Sequence, residues 1–180
     1  MLRLIVSSVV IETERLHLRH FHEGDAEFIV RLLNEPGFLR YIGDRAVRSA
    51  EDATSYIERV ALASYRTHGF GVYAVALREN ASTIGMCGLM QKPWLDAPDL
   101  AYAFLAEAEG RGYASEAARA VLDHASCTLG IQRILAVAVP DNVASLRVLA
   151  KLGFGARGRV HDPRDGTALE LKEVRYERNA

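Results

Sequence analysis

Apolar and polar positions change period several times along the chain, and each change marks an element. Leu16 and Leu18 alternate with His17 and Arg19, the two-residue period of a strand with one buried face, with Val9–Ile11 as its upstream extension. Asp25–Leu33 predicts a helix with Phe28, Ile29, Leu32 and Leu33 on one face, closed by Asn34, Glu35, Pro36 and Gly37. Ser49 and Asp52 have the spacing of a capping box, which opens a second helix running to about His68. Gly69–Leu77 and Thr83–Met90 predict strands on either side of a polar turn at Arg78–Ala81. After an irregular Pro93–Pro98 segment, Asp99–Leu105 alternates, with Leu100, Tyr102 and Phe104 on one face and Asp99, Ala101, Ala103 and Leu105 on the other. These three strands form an antiparallel meander.

The second half opens on the strongest helical pattern, Ala114, Ala117, Ala118, Val121, Leu122 and Ala125, from Ser115 to about Leu129 with Gly130 as its stop. Ile134–Val139 is a short strand ended by Pro140. Asn142 then caps a helix to Leu152, and Gly153 with Phe154 predicts a Schellman termination. Ala156–Tyr176 fits two strands joined around Asp162–Gly166. The result is a mixed α/β plan of about seven strands and about four helices. With 180 residues, 49% of them apolar, and no repeat or linker, one domain spanning residues 1–180 is expected.

Composition removes several functions. Lys plus Arg number 22 against 23 Asp plus Glu, so no basic field points to nucleic acid or a membrane surface. The apolar opening Met1–Ile11 is short for a secretory signal and lacks a small-residue cleavage pattern before Glu12, and no run has the length of a membrane span, which favours a cytoplasmic protein. Cys87 and Cys127 stand apart in apolar stretches and are expected to be buried thiols. No metal site is predicted: His17, His20, His22, His68, His124 and His161 are scattered without ligand spacing.

The candidate chemistry lies in Glu109-Gly110-Arg111-Gly112-Tyr113-Ala114, a glycine-bearing turn between a predicted strand and the best helix. Amides of a first helical turn lack intrahelical acceptors, and the macrodipole adds about half a positive charge, so a pyrophosphate can sit against them. Gly110 and Gly112 let the backbone approach it. A tight turn without a ligand is the competing reading. A G-x-x-x-x-G-K-[ST] loop is absent, and a G-x-G-x-x-G fingerprint would need glycine where Ser115 stands.

Three landmarks in order resemble the GNAT superfamily, within it the branch of ribosomal-protein N-terminal (alanine/serine) acetyltransferases. Glu12–Arg19 looks like its opening strand, Gly110–Ala117 like its coenzyme A loop, and Asn142–Phe154 like its late helix. The superfamily loop begins with Gln or Arg; this chain has Glu109 there. The resemblance implies the GNAT fold, a mostly antiparallel sheet splayed between its fourth and fifth strands, with pantetheine in the gap. It also implies acetyl-CoA as co-substrate and transfer of its acetyl group to a primary amine by direct attack on the thioester. The amine would be a protein N-terminal α-amino group or a small molecule, and the protein a monomer or homodimer. A GNAT-fold module that binds coenzyme A or another nucleotide without catalysis is the alternative.

Carried over residue by residue, the resemblance implies cofactor contacts from Phe104, Leu105, Gly110, Arg111, Gly112, Tyr113, Ala114, Asn142 and Arg147, with a backbone amide near Leu105 meeting the thioester carbonyl. Arg147 can equally be a solvated charge. Asp99 is the candidate general base, acting through water, or else a solvated acid at a strand start. Ser145 is the candidate general acid, or else a first-turn serine assisting the cap. The acceptor would be held by the early helices and the final hairpin.

Overall fold

The computed structural model describes residues 8–177. Met1–Ser7 of the apolar opening, with its bearing on a leader segment, lies outside the described residues. Among the described residues one sheet carries eight strands: β1 (Val9–Glu12), β2 (Leu16–Arg19), β3 (Val72–Leu77), β4 (Thr83–Met90), β5 (Asp99–Phe104), β6 (Arg133–Ala138), β7 (Gly155–His161) and β8 (Ala168–Arg175). Their order is β1-β2-β3-β4-β5-β6-β8-β7. The expected opening strand is two. The Thr13 N–H bonds the Leu16 carbonyl at 2.9 Å, and the turn folds β1 back on β2 with Ile11 opposite Leu18.

Among the described residues six α-helices flank the sheet: α1 (Ala26–Leu33), α2 (Pro36–Tyr41), α3 (Ala50–Ile57), α4 (Ala63–His68), α5 (Tyr113–Cys127) and α6 (Val143–Lys151). Pro36, expected to close the first helix, opens α2, where its missing N–H has no intrahelical use. The long second helix is present as a rod in which α3 and α4 are joined by a π turn over Glu58–Leu62. Its capping box is formed: Ser49 Oγ accepts from the Asp52 N–H at 3.1 Å, and Asp52 Oδ2 from the Ser49 N–H at 3.0 Å.

Each helical layer covers one face. Val121, Leu122 and Ala125 of α5 and Leu149 of α6 pack on Leu18, Val75, Leu89 and Ile134. Ile29, Leu32 and Ile57 of α1 and α3 pack on Ala74, Met86 and Leu105 on the opposite face. Strands β3 and β4 approach so closely that a Cβ at Gly88 would stand 2.1 Å from the Gly71 carbonyl oxygen. Cys87 is buried in the α5 layer, but Cys127 is exposed, because the last position of α5 falls off its apolar stripe.

One junction organises the sheet. Every neighbouring pair is antiparallel except β5 and β6, which are parallel and paired only at Asp99 and Leu135. There the Leu135 N–H reaches the Pro98 carbonyl at 2.9 Å. Among the described residues no further pair joins the two strands, so the half-sheets part toward Phe104. This is the expected splay; its fourth and fifth strands are β5 and β6, because the opening strand is divided.

Candidate functional site

The cleft begins where β5 and β6 separate. The Leu105 N–H bonds the Ile84 carbonyl at 2.9 Å, toward β4, whereas the Pro98 carbonyl points to β6. Backbone direction alternates along a strand, so the groups of Leu100, Tyr102 and Phe104 face β6, and beyond the Asp99–Leu135 bridge those of Tyr102 and Phe104 face the opening. This corrects the expectation for Leu105: its amide already has an acceptor, and its side chain is buried beside Met86. The cleft-facing donor at this end is Phe104.

The glycine loop leads from a single 3-10 turn, Ala106–Ala108, into α5. Gly110 and Gly112 have φ of +72° and +81°, in the left-handed region that favours glycine. Gly112 is the N-cap of α5. The first loop-to-helix amide bonded within the protein is Glu116, to the Gly112 carbonyl at 3.0 Å. Among the described residues, the N–H groups of Gly110 through Ser115 have no acceptor. Expected contact residues Gly110, Arg111, Gly112, Tyr113 and Ala114 thereby form one consecutive run of unbonded donors. The Glu109 carboxylate does not enter it: Oε1 lies 3.9 Å from where a Gly37 Cβ would stand, at the first turn of α2.

Across the opening stands α6. Asn142 caps it, Oδ1 accepting from the Ser145 N–H at 3.1 Å. Gly153 and Phe154 end it as expected, with the Phe154 N–H on the Leu149 carbonyl at 3.0 Å and the Gly153 N–H on that of Ala150 at 3.1 Å. Ser145 Oγ meets the Tyr102 hydroxyl at 2.9 Å, which also donates to the Ser145 carbonyl at 3.2 Å. Burial pushes the Tyr102 phenol up to about 12 and the bond to Ser145 opposes this, so it is a neutral donor. Strand alternation places Tyr102 on the α5 face, but its contact with Ser145, 43 residues away, is new in the structure. Arg147 is exposed on α6.

Asp99 occupies the closed end of the cleft. It is 1% exposed, which rules out the solvated-acid reading. Lys92 Nζ bonds its Oδ2 at 2.6 Å and lies 5.5 Å from the Trp94 ring centre, while Oδ1 is buried with no hydrogen-bond partner among the described residues. Burial raises the Asp99 pKa, and Lys92 opposes that rise. Asp99 shares its strand face with Ala101 and Ala103, on the side of α1 and α3, so it and Ser145 lie on opposite faces of β5. The β7–β8 turn meets the residue after α2, where Arg164, ion-paired to Asp162, reaches the Ile42 carbonyl at 3.5 Å.

The loop at the start of α5 is braced by the opening turn. Glu116 Oε1 accepts from Thr13 Oγ1 at 2.6 Å and the Arg15 N–H at 3.0 Å; Arg15 Nε reaches Oε2 at 2.7 Å. None of Lys92, Tyr102, Arg15 or Glu116 carried a sequence signal for the site beyond the landmarks containing the last two. Among the described residues no group of three or more His, Cys, Asp and Glu side chains could hold a metal, and no helix is long and apolar enough to cross a membrane.

Comparison with known proteins agrees with this architecture. The acetyltransferase (GNAT) domain family matches residues 15–155. An uncharacterized N-acetyltransferase of Bacillus subtilis, YoaA, is 34% identical over 83% of this chain and 84% of its own. An acetyltransferase from Agrobacterium tumefaciens superposes with a TM-score of 0.80 at 24% identity, covering 98% of this chain and 99% of that one. RimL, a ribosomal L7/L12 α-N-protein acetyltransferase solved with coenzyme A, superposes with a TM-score of 0.79 at 17% identity, covering 93% and 98%. With most of its length matched by that family and the half-sheets parted as its fold requires, the chain belongs to the GNAT acetyltransferases.

Proposed function

We propose that the protein transfers the acetyl group of acetyl-CoA to a primary amine, either a protein N-terminal α-amino group or a small-molecule amine. The observation that carries this reading is the opening between β5 and β6, with strand amides along one wall and the α5 donor run at its mouth. An extended pantetheine arm can pair with Phe104 as an added strand, with its thioester end reaching Tyr102. The pyrophosphate then meets the amides from Gly110 to Ser115, with Arg111 and Arg147 as exposed cations for the phosphates. Asn142 Nδ2 is the candidate contact to the arm, since Oδ1 is engaged in the cap. RimL, solved with coenzyme A, supports the same class of co-substrate for this chain.

In the reaction the amine nitrogen attacks the thioester carbonyl carbon. The ammonium proton passes through water to Asp99, whose unpartnered Oδ1 is the receiving atom. A raised carboxylate pKa narrows the gap to the amine it serves. The Tyr102 N–H, deeper in the cleft than Phe104 and on the residue that meets Ser145, donates to the developing oxyanion, a contribution commonly worth about a hundredfold or more in rate. The carbon–sulfur bond then breaks as the nitrogen of the intermediate gives its second proton to solvent water; the leaving thiolate takes the Ser145 proton and the serine is re-protonated from that water, with the Tyr102 hydroxyl holding its Oγ. An α-amino group, with a pKa of about 8 against about 10.4 for lysine, gives up its proton more readily, which favours N-terminal and weakly basic acceptors.

The test is thiol release from acetyl-CoA against free amino acids, polyamines, aminoglycosides and peptides with defined N-termini. Amine-dependent release with one class identifies the acceptor. Tight acetyl-CoA binding without release across the panel would favour a non-catalytic coenzyme A module and remove the roles of Asp99 and Ser145.

A further inference from the structure

Glu116 poses an electrostatic problem at the candidate pyrophosphate site. It lies in the first turn of α5, four residues after the N-cap, where its charge suits the helix dipole but repels a bound anion. Burial pushes its pKa up, but the bonds from Thr13 and Arg15 outweigh that and hold it below the ordinary carboxylate value, so it is ionised. The cation that answers this charge is Arg15. Arg15 grips Oε2 through Nε at 2.7 Å and Nη2 at 2.6 Å, and donates from Nη1 to the Arg111 carbonyl at 3.0 Å. Its guanidinium also lies 4.5 Å over the Tyr113 ring, and Nη2 stands 3.5 Å from where a Gly112 Cβ would be.

We propose that Arg15 is a positioning residue for acetyl-CoA: it cancels the Glu116 charge and turns the Arg111 carbonyl away from the anion, leaving the loop to present donors. The proposal rests on the reading that the Gly110–Ser115 amides hold the pyrophosphate. It assigns a role to the opening turn, which comes from the far end of the sequence and carries no other part of the site.

A charge-reversal logic separates this from simple bracing. Arg15→Met should raise the Kd and KM for acetyl-CoA about tenfold, the effect of one unmasked like charge beside an anion, with kcat at saturation within about twofold. Arg15→Lys, which keeps the charge but not the fork, should recover part of the loss. Adding Glu116→Gln to Arg15→Met should restore affinity by about threefold or more, because the repelling carboxylate is gone. Glu116→Gln alone should bind as tightly as the unaltered protein or more tightly, since Arg15 then faces the phosphates unneutralised. Bracing alone predicts the reverse: Glu116→Gln weakens binding and the double variant is no better than Arg15→Met, and either result overturns the proposal.

Should Arg15→Met fail to fold, Arg15→Lys and Glu116→Gln carry the same decision. Hydrogen exchange on the unaltered protein tests the underlying reading separately. If acetyl-CoA does not protect the Gly110–Ser115 amides, the loop assignment fails; if it protects them while Arg15→Met keeps full affinity, only the role of Arg15 fails.

Discussion

Replacing Lys92 with methionine removes the ammonium bonded to Asp99 and leaves the carboxylate in a site that is 1% exposed. At a separation near 3 Å and an effective dielectric of about 20, the direct attraction lost is about 5 kcal/mol. The desolvation already borne by the pair offsets part of this, and breaking buried pairs commonly costs about 3–5 kcal/mol. The Lys92 side chain is 23% exposed, which puts the expected loss at the low end, about 3 kcal/mol. For a chain of this length that lowers Tm by about 6–12 °C.

The loss must depend on pH, and the direction follows from the sign of the Asp99 shift. Burial raises its folded pKa above the unfolded value, and Lys92 restrains the rise. A group shifted this way contributes its full stability below the unfolded pKa, and that contribution is lost as pH rises through the folded pKa. Without Lys92 the folded pKa rises further, so the variant loses stability over a wider range. The deficit should therefore be larger at about pH 8 than at about pH 5 in thermal melts followed by circular dichroism. Adding Asp99→Asn should recover much of the loss at about pH 8. An equal deficit at both pH values, or none, would refute the buried-pair account. If Asp99 is also the base, the acid limb of kcat/KM moves to higher pH in Lys92→Met.

Two further outcomes are expected. Tyr102→Phe removes the hydroxyl 2.9 Å from Ser145 Oγ and should lower kcat about tenfold, with the KM for acetyl-CoA within about twofold. If the two hydroxyls act as a unit, Tyr102→Phe combined with Ser145→Ala loses no more than Ser145→Ala alone; multiplying losses would contradict that unit. Glu173 accepts from Arg175 and from Arg133, each at 2.7 Å, and these bonds lower its pKa from 4.5 to about 2. That stabilisation is complete above the unfolded value and disappears as pH falls through the folded one, so Glu173→Gln should melt lower at neutral pH and match the unaltered protein near pH 2.

What the sequence made legible was local. The Ser49–Asp52 box, the Asn142 cap and the Gly153–Phe154 stop are set by residues within one or two turns, and each is formed as expected. The apolar period of α5 and the glycines before it placed the donor run. The miss at α2 was also local: proline after a helix suggests an ending, but the same residue is well suited to the first position of the next helix.

The site itself depends on contacts that no local pattern encodes. A charged residue following Pro98 has the sequence appearance of a solvated strand start, and Asp99 is buried because Lys92, from an irregular segment, arrives to meet it. Alternation put Tyr102 and Leu105 on their faces but could not say which amides turn toward β6. That parity is fixed by Leu105 pairing with Ile84, a long-range choice of register. The same separation governs Arg15 and Glu116, 101 residues apart, whose types look like ordinary surface charges until the opening turn is laid against the start of α5. A helix N-terminus offers an anion the same amides in many proteins. In this one the acid of the first turn is paired, and that pairing depends on the tertiary fold bringing Arg15 to it.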